Sequence, residues 1–101
     1  MAEFVRVAGT ADVKPGHGMV AEVNGKTLAV FNVDGTFHAI DNTCVHRGGP
    51  LGEGELTGDT VACPWHGWEY NVKDGKCSTS PSACVKTYEV KVEGQDVKVR
   101  L

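Results

Sequence analysis

Apolar and polar residues alternate strictly along two segments near the C-terminal end of the chain. The large side chains of TYEVKV and DVKVRL fall on every second position: Tyr88, Val90, Val92, Val97, Val99 and Leu101. Successive side chains of a β-strand point to opposite faces, so this spacing predicts two strands that each bury one face. The intervening Glu93-Gly94-Gln95 predicts the turn that joins them.

Two dipeptides near the N-terminal end predict further hairpins. Asn24-Gly25 separates MVAEV from KTLAVFNV, and Asp34-Gly35 separates AVFNV from TFHAI. Both dipeptides readily adopt the positive φ values of tight hairpin turns, so each predicts a pair of antiparallel strands. The opening EFVRVA predicts one more short strand.

The region from about 41 to 85 has a different character. It is rich in glycine and proline, holds all four cysteines, and contains only VAC and WEYNV as strand-like pieces. No helix longer than a turn or two is predicted anywhere. We therefore expect an all-β fold, a β sandwich or small barrel with this irregular subdomain inserted in it. The 101 residues predict a single domain, 1–101.

Composition narrows the classes of function. Hydrophobic residues make up 41% of the chain and the formal net charge is only −3, which argues against a nucleic-acid or anionic-membrane surface. No apolar run of about eighteen residues suggests a membrane span, and the N-terminal segment does not resemble a signal peptide. We expect a cytoplasmic protein, in which cysteines serve as metal ligands or buried thiols rather than disulfides.

Four residues have the spacing of a metal site. Cys44, His46, Cys63 and His66 form the pattern C-x-H-x16-C-x-x-H. The set could close around one tetrahedral zinc, although zinc sites usually keep their cysteines and histidines in separate pairs. Alternatively, each loop could offer its cysteine to one iron and its histidine to a second iron of a sulfide-bridged pair. The second arrangement explains why each loop mixes the two ligand types.

A mixed ligand set has an electrochemical consequence. Two ferric ions, two sulfides and two thiolates carry a formal charge of zero, whereas four thiolates would leave a dianion. An electron enters a neutral cluster more easily, so the histidines raise the reduction potential, to roughly −150 to +300 mV against about −400 mV for plant-type clusters.

The pattern, followed by Gly67, resembles the Rieske [2Fe–2S] motif. GEGELTGDTVACPWHG, NVKDGK and TYEVKVEGQDVKV resemble the soluble Rieske ferredoxins of bacterial ring-hydroxylating oxygenase systems, over nearly the whole chain. The resemblance implies one [2Fe–2S] cluster per chain, with Cys44 and Cys63 on the inner iron and His46 and His66 on the outer one. It also implies an electron carrier rather than an enzyme, with a flavin-dependent reductase and a terminal oxygenase as partners.

The chain departs from the respiratory Rieske proteins that it also resembles. They carry a disulfide between the two loops at the positions of Gly49 and Trp65, so that link cannot form here. Trp68 replaces a serine that donates to a bridging sulfide. Tyr70 matches a tyrosine that donates to a ligand sulfur, although it could also be an ordinary strand residue. These departures predict a potential in the low part of the Rieske range.

Other residues of the region carry weaker expectations. We expect Cys77 and Cys84 to be small buried hydrophobes. Trp65 could contact a partner, shield the cluster from solvent, or simply pack locally. Five glycines are expected to allow positive φ and close backbone approach to the sulfides: Gly48, Gly49, Gly52, Gly54 and Gly67.

HRGG and HGW also resemble the loops of oxygenase large subunits. These subunits need a second, mononuclear iron, and only His17 and His38 remain as possible ligands for it. We expect both histidines to be surface or edge residues.

Two alternative functions stay open. The first is the small Rieske-like subunit of an NAD(P)H-dependent nitrite reductase. The second is a structural zinc module that binds a protein partner.

Overall fold

The computed structural model describes residues 4–43, 49–65, 67–78 and 84–100. Within these ranges the secondary structure is nearly all β, which confirms the predicted fold class. The strands are β1 Phe4–Gly9, β2 His17–Val23, β3 Lys26–Val33, β4 Thr36–Asp41, β5 Glu55–Thr57, β6 Thr60–Ala62, β7 Glu69–Asn71, β8 Thr87–Glu93 and β9 Asp96–Arg100. Two short 3₁₀ turns cover Thr10–Asp12 and Leu51–Glu53.

Tight turns connect the strands where the sequence predicts them. Asn24 and Gly25, between β2 and β3, have φ values of 50° and 78°. Asp34 and Gly35, between β3 and β4, have φ values of 51° and 92°. Positive φ at both central residues is the type I′ geometry, whose twist matches that of the flanking antiparallel strands. The two predicted hairpins are therefore confirmed.

Six strands form one antiparallel sheet in the order β1-β9-β8-β4-β3-β2, which curls into a nearly closed barrel. Its interior is filled by small and branched apolar side chains: Ala8, Val13, Ala21, Leu28, Val30, Ala39, Val97 and Val99. The remaining three strands form a separate small sheet in the order β5-β6-β7.

Strand β3 is buried on both faces. Leu28 and Val30 point into the barrel, while Ala29 and Phe31 point outward into a second apolar cluster. That outer cluster includes side chains from the region that follows β4: Leu51, Val61, Cys63, Tyr70, Val72, Cys77 and Val85. A strand covered on both sides reads as a continuous apolar run, which explains LAVF in its sequence. β3 thus ties the barrel to the inserted region.

Strand β5 was not predicted from the sequence. Only VAC and WEYNV looked strand-like in the inserted region, yet Glu55–Thr57 pairs with β6 through Leu56 opposite Val61. With three residues and one apolar side chain, β5 is too short to show a period of two. The pairing with its neighbour, not local pattern, makes it a strand.

Val92 differs from the prediction of one buried face on β8. Its side chain is 46% exposed, whereas its cross-strand partner Val97 is fully buried. The described pairing of β4 with β8 is limited to Thr87 and Tyr88, and Val92 lies beyond it, near the far end of the strand. The strict alternation of apolar and polar residues predicts which face of β8 turns inward, but it does not predict how far along the strand that face is buried.

The two histidines outside the predicted metal pattern have different environments. His17 is exposed, as expected. His38 lies on β4 opposite Phe31, and its buried Nε2 has no hydrogen-bond partner among the described residues. Burial lowers the pKa of His38 below its ordinary value, and Lys73 lowers it further, while Asp59 acts in the opposite direction. His38 is therefore half-buried on an inner strand of the sheet, whereas His17 is exposed.

Among the described residues, no helix has the length and apolar character needed to cross a membrane.

The lowered pKa of His38 makes stability depend on pH. The neutral form is favoured in the folded state, so its contribution is present above the unfolded pKa of about 6.5 and is lost as the pH falls through the lowered folded pKa. We expect His38→Gln to flatten the fall in melting temperature between neutral and mildly acidic pH. His17→Gln, at an exposed position, is the matched control. Equal pH slopes for the two variants would contradict the prediction.

Candidate metal centre

Of the four predicted ligands, the structure describes Cys63 alone. Cys44, His46 and His66 lie outside the described residues. The residues on either side of them are described, and they show how each predicted ligand loop starts and ends. The described part of the site therefore consists of Cys63 and the bases of the two loops.

Hydrogen bonds across its base close the second loop. Cys63 follows β6 directly, and its backbone N–H donates to the carbonyl of Trp68 at 2.7 Å. Gly67 N–H donates back to the carbonyl of Cys63 at 2.9 Å. Gly67 has a φ of +75°, the left-handed region that favours glycine, which confirms the conformational role expected for this one. These two bonds close the base of the second loop between Cys63 and Trp68.

Asn42 closes the base of the first loop. Its side chain is buried, and its Oδ1 accepts the N–H of Gly52 at 2.7 Å. Its backbone carbonyl accepts the N–H of Leu51, also at 2.7 Å, and its own N–H donates to Thr27 on β3. One residue further along, Thr43 forms an isolated bridge with Pro50. The loop that carries Cys44 and His46 is therefore fixed at both ends to the barrel.

The anchoring role of Asn42 was not predicted from the sequence. The available signal was an asparagine between the apolar end of β4 and a cysteine-containing loop, because asparagine side chains often accept backbone N–H groups in turns. That signal is too common to identify one residue as a structural anchor.

Gly49 brings the first loop against the second. A Cβ atom at Gly49 would lie 2.6 Å from Cys63 Sγ and 3.2 Å from Trp65 Cγ. Real Cβ atoms do not approach so closely, so no other residue fits here without a shift. Gly49, which follows the first pair of predicted ligands, therefore contacts Cys63, the first residue of the second pair.

For three of the five glycines, the predicted positive φ was wrong, while their close approach to the sulfides stays a prediction. Gly49, Gly52 and Gly54 do not have positive φ values. Their requirement is space: a Cβ on Gly52 would meet the carbonyl of Met19 at 2.8 Å, and one on Gly54 would collide with the carbonyl of Ala62. These glycines let the inserted region lie directly on the backbones of β2 and β6. Gly48 lies outside the described residues.

The surroundings of Cys63 fit a thiolate that holds iron. The residue is only 2% exposed, and it sits in the outer apolar cluster with Leu51 and Tyr70. The absence of a side chain at Gly49 lets the backbone of the first loop lie close to Sγ. Two cysteines and two histidines are also the donors that a Rieske [2Fe–2S] cluster uses. The described residues are therefore compatible with the iron–sulfur cluster predicted from the spacing.

Two aromatic residues near Cys63 face inward. Tyr70 is fully buried on β7, in the same apolar cluster as Cys63. Its predicted hydrogen bond to a ligand sulfur stays a prediction. Trp68 is half-buried and packs against that cluster, while its carbonyl closes the second loop. Both side chains are part of the floor of the site.

The remaining two cysteines do not form a pair. Cys77 is buried and bridges to Tyr70, as expected of a small hydrophobe. Cys84 is exposed and bridges to Lys76, so the expectation that it is buried is wrong. No disulfide joins Cys77 and Cys84. Neighbouring positions on an extended segment point to opposite faces, and this separates Cys77 from the face shared by Lys76 and Cys84.

The outer face of the small sheet carries a shallow open groove of about 450 Å³. It is lined by Glu55, Thr57, Thr60, Ala62 and Glu69. Such an open depression does not enclose a ligand as a typical small-molecule site does. Among the described residues, no second group of histidines, cysteines and carboxylates could hold a metal ion.

The profile of the Rieske [2Fe-2S] domain family matches residues 3–89. The chain therefore belongs to the Rieske [2Fe–2S] domain family, which confirms the resemblance seen in its cysteine and histidine spacing.

Within that family, similar proteins are named as ferredoxins. The ferredoxin component of the naphthalene 1,2-dioxygenase/salicylate 5-hydroxylase systems of Ralstonia sp is 34% identical, covering 89% of this chain and 88% of its own length. The Sphingomonas yanoikuyae B1 ferredoxin superposes with a TM-score of 0.90 at 31% identity, covering 98% of this chain and 99% of that one.

Two further solved structures bear on the alternatives. A complex of reduced oxygenase and oxidized ferredoxin in carbazole 1,9a-dioxygenase contains a chain with a TM-score of 0.86 and 33% identity, covering 96% of this chain and 92% of that chain. A putative NADH-dependent nitrite reductase small subunit from Mycobacterium tuberculosis has a TM-score of 0.90 at 22% identity, covering 100% of this chain and 96% of that one. The second likeness establishes a shared fold only.

Asn42 offers a test of how the first loop is held. Asn42→Ala leaves the buried N–H of Gly52 without its acceptor, and we expect it to lower the free energy of unfolding by about 1–3 kcal/mol. Asn71→Ala is the matched control, because Asn71 Oδ1 accepts the N–H of Lys73 at 2.8 Å in an exposed position. Urea denaturation measures both. A loss no larger for Asn42→Ala than for Asn71→Ala would contradict the anchoring role.

Proposed function

We propose that the chain is the ferredoxin component of a ring-hydroxylating oxygenase system, carrying single electrons from a flavin-dependent reductase to the terminal oxygenase. The observation that carries the proposal is the contact of Gly49 with Cys63, since it brings together the two loops that hold the predicted ligands. The names and identities of its relatives support the same function.

The proposed ligands are Cys44 and Cys63 for one iron and His46 and His66 for the other, with one [2Fe–2S] cluster per chain. When bound, this group takes up and releases one electron without making or breaking a bond to a substrate. Cys63 is buried, which suits the inner thiolate side. Pro64, Trp65 and Gly67, which flank His66, are exposed, and this supports a histidine side at the surface.

A surface position of the histidines suits electron transfer between proteins. The exposed residues around His66 allow another protein to approach the second loop without any rearrangement of the barrel. The open groove on the small sheet does not enclose a substrate. The chain's part in the reaction is therefore to bind, orient and insulate a redox group, and not to transform a small molecule.

The proposal covers the whole chain as one domain, 1–101, with the cluster-binding subdomain at about 41–85. Leu51, Val61 and Tyr70 from this subdomain share an apolar cluster with Phe31 and Ile40 of the barrel, which supports a single folding unit. A cytoplasmic location is proposed together with the reductase and oxygenase partners.

The two alternatives make different demands. A nitrite reductase small subunit shares the fold, but the likeness at 22% identity does not extend beyond it. A zinc module would bind one metal and would be colourless. Neither alternative explains the ferredoxin names of relatives above 30% identity as directly as the electron carrier does.

Substitution of single cysteines tests the ligand set. We expect Cys63→Ser to lose the reddish-brown colour and the rhombic EPR signal of the reduced protein, because it removes a proposed ligand to the inner iron. Cys84→Ser, which removes an exposed cysteine outside the pattern, should keep both. Iron and sulfide analysis would complete the comparison. A colourless wild type that contains zinc would favour the zinc module instead.

Mixing experiments test the electron-carrier function. The purified protein is reduced, mixed anaerobically with oxidised oxygenases of the aromatic-ring-hydroxylating class, and followed by visible absorbance. We expect its cluster to be re-oxidised within seconds by a cognate oxygenase, and the Cys63→Ser protein to transfer nothing. Turnover with a sirohaem nitrite reductase large subunit, but with no oxygenase, would overturn the proposal.

A further inference from the structure

Trp65 occupies an unusual position at the predicted cluster site. Its side chain is 58% exposed, one of two large hydrophobic side chains described as exposed, the other being Val92. The covered part of the indole lies against Gly49: a Cβ atom there would be 3.2 Å from Cγ and 3.3 Å from Cδ2 of Trp65. The ring therefore rests on the backbone of the first loop while it belongs to the second.

This contact lies beside the sulfur of Cys63. The same Cβ position on Gly49 would be 2.6 Å from Cys63 Sγ, so glycine backbone, sulfur and indole share one small volume. Cys63 is only 2% exposed, although Pro64 and Trp65, the next two residues, are both exposed. Because the backbone turns outward immediately after Cys63, water could reach the sulfur from that side unless another group covered it. The indole and Gly49 lie where that cover is needed.

The hydrogen bonds named above close each loop at its own base. Asn42 bonds to Leu51 and Gly52 at the base of the first loop, and Cys63 bonds to Trp68 at the base of the second. The contact of Gly49 with Trp65 and Cys63 crosses from one loop to the other. An aromatic ring packed on a glycine buries apolar surface there without a covalent bond.

We propose that the indole of Trp65 is a clasp: it holds the two cluster-binding loops together across Gly49 and keeps water from the sulfur of Cys63. This inference rests on the proposed ligand set, and it gives Trp65 a positioning role. The indole touches the loop backbone rather than transferring electrons itself. Its exposed edge stays available at the surface, but the clasp does not depend on a partner.

The clasp has two measurable consequences. Loops that separate more easily release iron faster when a chelator competes for it. Water that reaches the sulfur stabilises the more negatively charged reduced state, so loss of the cover shifts the reduction potential upward. A residue that only contacted a partner would change neither quantity in the isolated protein.

The test compares three substitutions in the purified, cluster-loaded protein. Trp65→Ala removes the ring, Trp65→Phe keeps an aromatic ring over Gly49, and Val92→Ala removes the other exposed hydrophobic side chain, far along the chain at the tip of β8. Cluster loss to excess chelator is followed by visible absorbance. Reduction potentials come from redox titration, and melting temperatures report general stability.

We expect Trp65→Ala to lose its cluster roughly tenfold faster than wild type, the size implied by removing a half-buried aromatic contact. Its potential should shift upward. Trp65→Phe should restore most of both properties, and Val92→Ala should match wild type. Wild-type rates and potential in Trp65→Ala would overturn the clasp, as would faster loss in Trp65→Phe equal to that in Trp65→Ala.

The outcome is separable from that of the proposed function. A wild-type protein without a [2Fe–2S] cluster would defeat the ligand set itself. A loaded wild type with an unaffected Trp65→Ala variant would defeat only the clasp. Slower electron transfer to an oxygenase with unchanged cluster loss and potential would assign Trp65 to partner contact, and would also overturn it.

Discussion

Apolar side chains from two parts of the chain meet in one buried cluster, and the position of the metal site depends on that contact. Phe31 and Ile40 come from the outer face of the barrel, while Leu51, Val61 and Tyr70 come from the inserted region. All five are fully buried. Burial of this size is the main force that holds a segment lacking long strands in place. Without it, the two ligand loops would have no common floor.

Much of the fold could be predicted from the sequence because its signals are local. Asn24-Gly25 and Asp34-Gly35 determine their own turns through backbone preference, and they fix the register of β2, β3 and β4. Within each predicted ligand pair, the cysteine and the histidine are likewise at most three residues apart. Patterns of this kind survive without knowledge of what packs on the other side of a strand.

The features that were missed or misjudged depend on distant partners. Strand β5 exists because β6 lies beside it, and the exposed Val92 lies beyond the part of β8 that pairs with β4. The partial burial of His38 and the anchoring role of Asn42 depend on residues of other segments, such as Phe31 opposite His38 and Gly52 beside Asn42. For Gly49 the residue was singled out correctly, but the reason, space beside Cys63 and not a special φ, could only come from three dimensions.

Both ligand loops are sealed at their bases by hydrogen bonds that involve backbone groups and one asparagine. The bond from Cys63 to Trp68 and the bonds between Asn42 and residues 51 and 52 do not use the side chains at the loop tips. Side chains of the two loops that are neither proposed ligands nor part of the Gly49–Trp65 contact can therefore be exchanged during evolution at little cost to the scaffold. A lineage of such carriers could acquire new redox partners by changing only a few exposed positions, while the barrel and its metal-binding geometry remain conserved.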